Sequence, residues 1–127
     1  MAVGKQVGEF SLKSTSLTYT ATESGGSVQI NYEGSAKGEG LTGPVLGTLT
    51  GRGTPGAKSG SCSWAGIQYL DNGEELNSQG GGTWEKIGTH KWRIRGMNYL
   101  SDGRTIASDG VIDLATRSFT GTLYEWA

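Results

Sequence analysis

Residues 69–80, Y-L-D-N-G-E-E-L-N-S-Q-G, return thirty positions later as residues 99–110, Y-L-S-D-G-R-T-I-A-S-D-G. In both copies Tyr-Leu leads into a Gly-containing turn, Asn72-Gly73 or Asp102-Gly103, and Leu76, Ser78 and Gly80 are matched by Ile106, Ser108 and Gly110. Asn-Gly and Asp-Gly tolerate the positive φ that a tight β-hairpin demands, so the repeat reads as one hairpin type used twice. Two copies are too few for a propeller or a solenoid, in which at least three units must stack. They fit neighbouring hairpins of a single sheet.

The rest of the chain agrees with this reading. Of 127 residues, 23 are Gly, 13 Ser and 14 Thr, against only 2 Pro; Gly recurring at this density in helix interiors would cost about 1 kcal/mol each time, which speaks against helices. The four Trp and five Tyr are spread among β-formers, which speaks against disorder. Turn signals divide the chain into extended segments over 9–20, 27–39, 44–52, 58–70, 74–87, 90–101, 104–114 and 118–126. Eight long antiparallel strands tend to close on themselves. The expected fold is all-β, a single eight-stranded up-and-down barrel domain over residues 1–127 with little or no helix; the alternative is a two-sheet sandwich.

Two-residue turns at Asn72-Gly73 and Asp102-Gly103 would pair Tyr69 with Leu76 and Tyr99 with Ile106. Carried through turns at Gly88-Thr89 and Thr116-Arg117, the alternation puts Tyr69, Trp84, Arg93, Arg95, Tyr99, Ile112, Phe119, Leu123 and Glu125 on the inner face. The outer face then receives Trp64, His90, Trp92, Ile94, Tyr124 and Trp126, an aromatic patch that predicts a homo-oligomer.

Eleven Lys and Arg balance twelve Asp and Glu, for a net charge of −1. No charge excess is present to neutralise phosphates or anionic lipid, so neither a nucleic acid nor a membrane is expected as partner. Cys62 stands alone, which excludes an internal disulfide and fits a reducing compartment. With no apolar run of signal-peptide length at its start, the chain is expected in the cytoplasm.

Side chains for catalysis are few. His90 is the single histidine and sits beside a turn; Cys62, in S-G-S-C-S-W, has neither a second cysteine nor a nucleophile-elbow context. Neither is expected to bind metal, and no cofactor is expected. Gly51-Arg52-Gly53 and Gly80-Gly81-Gly82 precede no helix that could hold a phosphate, and read as sites of strand curvature. Arg93 and Arg95, in H-K-W-R-I-R-G, share one strand face; on the inner face they would need Glu125 and other carboxylates, or a ligand carboxylate or enolate, as partner. Tyr69, Tyr99 and Trp84 would supply apolar walls with polar tips.

Three C-terminal stretches, G-G-T-W-E-K-I-G-T-H-K-W-R-I-R-G (81–96), S-D-G-R (101–104) and D-G-V-I-D-L-A-T-R-S-F-T-G-T-L-Y-E-W (109–126), resemble uncharacterised bacterial barrel proteins of calycin-like or allene oxide cyclase-like type. The resemblance implies carriers of apolar ligands, or cofactor-independent cyclases that shape a flexible substrate in a dry barrel. The glutamate and proline features of the plant cyclases have no counterpart placed here, so their catalysis is not carried over. The function expected is binding of a small, largely apolar ligand with an acidic or carbonyl end, held by Arg93, Arg95, Glu125, Tyr69, Tyr99 and Trp84. A cyclase or isomerase using the same cavity, and a scaffold with a filled barrel, are the alternatives.

Overall fold

The computed structural model describes residues 3–54 and 56–126. Eight strands follow one another: β1 (Val3–Thr22), β2 (Gly25–Gly38), β3 (Gly43–Gly53), β4 (Ser59–Tyr69), β5 (Glu75–Gly88), β6 (Lys91–Leu100), β7 (Thr105–Asp113) and β8 (Ser118–Trp126). Each pairs antiparallel with its neighbours, and β8 returns to β1 with Leu12 opposite Phe119, so the sheet is a closed barrel and not a sandwich. Closure leaves no full-length edge strand to pair with another chain.

The repeated hairpins are equivalent, hydrogen bond for hydrogen bond. Leu70 N–H donates to Glu74 O at 2.8 Å and Gly73 N–H to Leu70 O at 2.9 Å; Leu100 N–H donates to Arg104 O at 2.9 Å and Gly103 N–H to Leu100 O at 3.0 Å. Gly73 and Gly103 have φ of 91° and 96°, and Asn72 and Asp102 accept from the backbone N–H two residues on. These are three-residue loops, a turn closed by a glycine bulge, in place of the expected two-residue turns. The extra residue shifts the register by one: Gln68, not Tyr69, pairs with Leu76, and Asn98, not Tyr99, pairs with Ile106. Every side chain of β4 and β6 therefore exchanges faces relative to the sequence reading.

The two ends of the barrel differ. At the lower end the β2–β3 loop folds inward, burying Leu41, while the amide of buried Gln68 donates to the carbonyls of Leu41 and Gly43. Arg104 clamps that loop from the β6–β7 turn through the carbonyls of Glu39 and Gly40, each at 3.0 Å. The upper end is open. There β1 bulges between Ser14 and Ser16 and loses β8 after Lys13↔Ser118, so that its last residues pair with β2 alone, while β2 keeps β3 as far as Gly26↔Gly53. Between the ends lies a layer of buried side chains: Leu12, Tyr32, Leu49, Cys62, Ile94, Ile112 and Phe119.

Candidate functional site

Alternation along β2 places Val28, Ile30 and Tyr32 inside, and the same period carries Leu17 and Tyr19 of β1 onto that face, opposite Ile30 and Val28. With Trp84 of β5, Trp92 of β6 and Ile112 of β7 they enclose a cup of about 670 Å³, open at the upper end. Below it, a second apolar space of about 110 Å³ reaches towards the closed end, bordered by Phe10, Leu41, Leu76, Leu100 and Ile106. Leu49, Cys62 and Ile94 border both spaces and form the partition between them.

The cup wall is held in place by tryptophans lying on glycines. A Cβ on Gly53 or Gly60 would come within 2.7 or 2.6 Å of the Trp84 indole, so the ring lies flat against β3 and β4; its Nε1 donates to Arg52 O at 2.9 Å. Trp64 lies in the same manner over Gly47 and Gly66 and donates to Ser78 Oγ at 3.0 Å. Tyr32 is 3% exposed, and its ring tilts against Phe119 at 5.3 Å. Its hydroxyl makes no hydrogen bond among the described residues, yet among those same residues no fully enclosed side-chain polar atom lacks a partner. The hydroxyl therefore reaches the cup surface, where Tyr32 is part of the lining. Burial pushes its phenol above the ordinary value, which keeps it protonated and a donor. Burial likewise raises the Cys62 thiol, opposed by a hydrogen bond from the Gly82 backbone, so Cys62 is a neutral group in the floor and not a thiolate.

The residues expected to hold a ligand are dispersed. Trp84 is in the cup wall, although the path to it contained two offsetting register errors: the β6–β7 bulge displaced β6, and a further bulge between Lys86 and Gly88 moved it back. Arg93 and Arg95 point outwards. Arg93 grips Asp109 in a two-pronged pair at 2.9 and 2.6 Å, and Arg95 meets Glu85 at 3.0 Å. The hydrogen bonds from Arg93 hold the Asp109 carboxyl below its usual range, against desolvation that would raise it. Tyr69 and Tyr99 are also outside, 42% and 55% exposed. Glu125 is exposed at the lower end beside Gly4, away from the cup mouth. Conversely Trp64, Trp92 and Ile94, assigned to the outer face, are inside, which removes two of the tryptophans on which the expected oligomer contact rested. Tyr32, Val28 and Ile30 had a readable signal, the alternation V-Q-I-N-Y over 28–32.

No family model matches the chain, and no curated protein matches it. Among solved structures, the crystal structure of a conserved protein of unknown function from Rhodopseudomonas palustris is similar in fold, with a TM-score of 0.77 at 13% identity, covering 98% of each chain.

Proposed function

We propose that this protein binds a small, largely apolar, uncharged molecule in the upper cup, with a carbonyl-type oxygen of the ligand accepting from Tyr32. The observation that carries the reading is the protonated Tyr32 hydroxyl, without a partner among the described residues, in the lining of a largely apolar cup of about 670 Å³. That size suits a small-molecule site, and a single well-placed donor fixes orientation where apolar walls supply affinity. With Arg93 and Arg95 tied up outside, the cations of the cup are Arg52 and Arg117 at its edge, and none accompanies Tyr32 deeper in, so a ketone, ester or aldehyde oxygen suits that depth better than a carboxylate. The resemblance of the C-terminal half to calycin-like barrels supports the same carrier role. A cyclase or isomerase would need a charged group beside the reacting carbons, and Arg93, Arg95 and Glu125 do not supply one from where they lie.

The test is titration with Prodan, a naphthyl ketone whose emission reports polarity and hydrogen bonding at its carbonyl. Saturable binding with blue-shifted emission is expected. Tyr32→Phe should weaken it about fivefold, the worth of one hydrogen bond, and shift the emission further to the blue. Val28→Trp, which fills the cup from β2, should abolish it. Absence of saturable binding, or binding indifferent to both substitutions, overturns the reading.

A further inference from the structure

The net charge of −1 conceals a segregation along the barrel axis. The open end carries Lys13, Arg52, Lys58, Lys86, Lys91 and Arg117 against Glu23, Glu85 and Asp113. Arg52, Lys58, Lys86 and Arg117 make no ion pair among the described residues, and Lys91 approaches Asp113 only to 4.0 Å. Two contacts fix the level of this ring: Lys13 Nζ donates to Thr116 O in the β7–β8 turn at 3.0 Å, and Lys86 N–H donates to Lys58 O at 2.8 Å. The closed end instead carries Glu9, Glu39, Asp71, Glu74, Glu75, Asp102 and Glu125 against Lys5, Lys37 and Arg104, of which Lys5 and Arg104 are paired with Glu39 and Asp102.

The same open end bears the largest exposed apolar side chains of the upper half: Leu17 at 56%, Tyr19 at 67%, Ile87 at 50% and Leu114 at 38%. Leu17, Tyr19 and Leu114 edge the cup itself, together with Arg52 and Arg117. Water-exposed leucine, isoleucine and tyrosine interleaved with unpaired cations around one mouth match the two layers of an anionic bilayer surface, headgroup charge above acyl chain.

We propose that the open end docks on an anionic lipid bilayer, the cations on the headgroups and Leu17, Tyr19, Ile87 and Leu114 in the interface, so that the cup mouth faces the lipid. A polyanion such as nucleic acid would engage the cations alone and leave the apolar ring in water, which is why the bilayer is favoured. Docking stands on the rim and not on the cup's contents; the cup reading gives it a purpose, the exchange of an apolar ligand with the membrane.

The experiment is flotation of the intact protein with vesicles of phosphatidylcholine alone or mixed with phosphatidylserine, with Prodan titration of every variant in parallel. Binding is expected to the mixed vesicles only, and to fall with added salt. Lys58→Glu/Lys86→Glu should weaken it more than about tenfold, since each cation near such a surface contributes about fivefold. Leu17→Ser/Tyr19→Ser should weaken it as well, and Lys37→Glu, on the lower half of β2, should leave it within about fivefold of the parent. Binding to neither vesicle, equal binding to both, or loss in Lys37→Glu as large as in Lys58→Glu/Lys86→Glu overturns docking. So does binding undiminished in Leu17→Ser/Tyr19→Ser, which would mark a contact open to any polyanion. Failed flotation with Prodan binding intact strikes docking alone, whereas failed Prodan binding strikes the cup.

Discussion

Leu49→Ala probes the partition between the two internal spaces. The leucine is 5% exposed and borders the cup above and the 110 Å³ space below. Removing three carbons forfeits about 0.8 kcal/mol each in transfer free energy, or about 2.4 kcal/mol. In a densely packed core a further penalty accrues with the volume of the closed void left behind, and such substitutions reach about 5 kcal/mol. Here the vacated volume opens into spaces that already exist, so few packing contacts are lost beyond those of the leucine itself. The expected loss is about 2 to 3 kcal/mol, read as a lower urea midpoint at unchanged slope by circular dichroism. Joining the spaces should also let the protein bind apolar probes too long for the cup alone, such as a Prodan analogue with a longer acyl chain. A loss above about 4 kcal/mol, or no gain for the longer probe, would show that Leu49 is embedded in a solid core and refute the two-space description.

Three further outcomes follow from single contacts. Gly51→Ala places its methyl 3.5 Å from Val28 Cγ1, an ordinary contact, and should be neutral or stabilising by about 0.5 kcal/mol, whereas Gly47→Ala drives a Cβ to 2.3 Å from the Trp64 ring and should cost about 1 to 3 kcal/mol in the same urea assay. Gly73→Ala and Gly103→Ala meet no neighbouring atom and should each cost about 1 kcal/mol through backbone strain alone, with additive effects in the double variant because the loops are separate. Asp109 has its pKa lowered in the folded state by Arg93, so the stability it contributes is fully present above the ordinary carboxylate range and is lost as pH falls below about 4; Asp109→Asn should flatten that acid limb in pH-dependent melting, while Asp102, lowered by Arg104, preserves part of it.

Strand number, order and ends were legible because turns are written in residues with special backbone demands: the eight expected segments fall within a few residues of the observed strands, except that β1 begins at Val3, not at 9. Faces were legible across the β7–β8 turn, where Ile112, Phe119 and Leu123 are inside as expected, but not across the Asn72-Gly73 and Asp102-Gly103 loops. Asn72-Gly73 serves equally as the centre of a two-residue turn or as the last two residues of a three-residue loop, since both need the glycine's positive φ. Ordinarily the polarity contrast between faces would arbitrate. In β4 it points the wrong way: the outer face shows Ile67 and Tyr69, and the inner face Gly66 and Gln68. Gln68 is buried because it satisfies the carbonyls that turn Leu41 into the lower end, a long-range requirement invisible in a strand's own alternation.

The distribution of inner glycines explains why the lower end keeps only a small space of about 110 Å³ and the upper end a cup of about 670 Å³. Eight strands give an interior that side chains can just fill, so each inner glycine leaves a space that another residue must occupy. In the lower half most of that space is taken up: Trp64 covers Gly47 and Gly66, the Phe10 ring packs at the Cβ positions of Gly110 and Gly121, and Leu41 comes in from the loop. In the upper half Trp84 covers Gly53 and Gly60 on one side only. Two residues along β3 from Gly53, Gly51 has nothing nearer than Val28, and Leu17 and Tyr19 at the far end of β1 stand exposed. A sequence selected only for a solid barrel would place larger side chains at such positions, because unfilled apolar volume forfeits dispersion and burial together. The larger vacancy lies at the end where the cations without ion pairs among the described residues stand beside Leu17, Tyr19, Ile87 and Leu114, and that coincidence ties the cup and the docking surface to one functional end of the molecule.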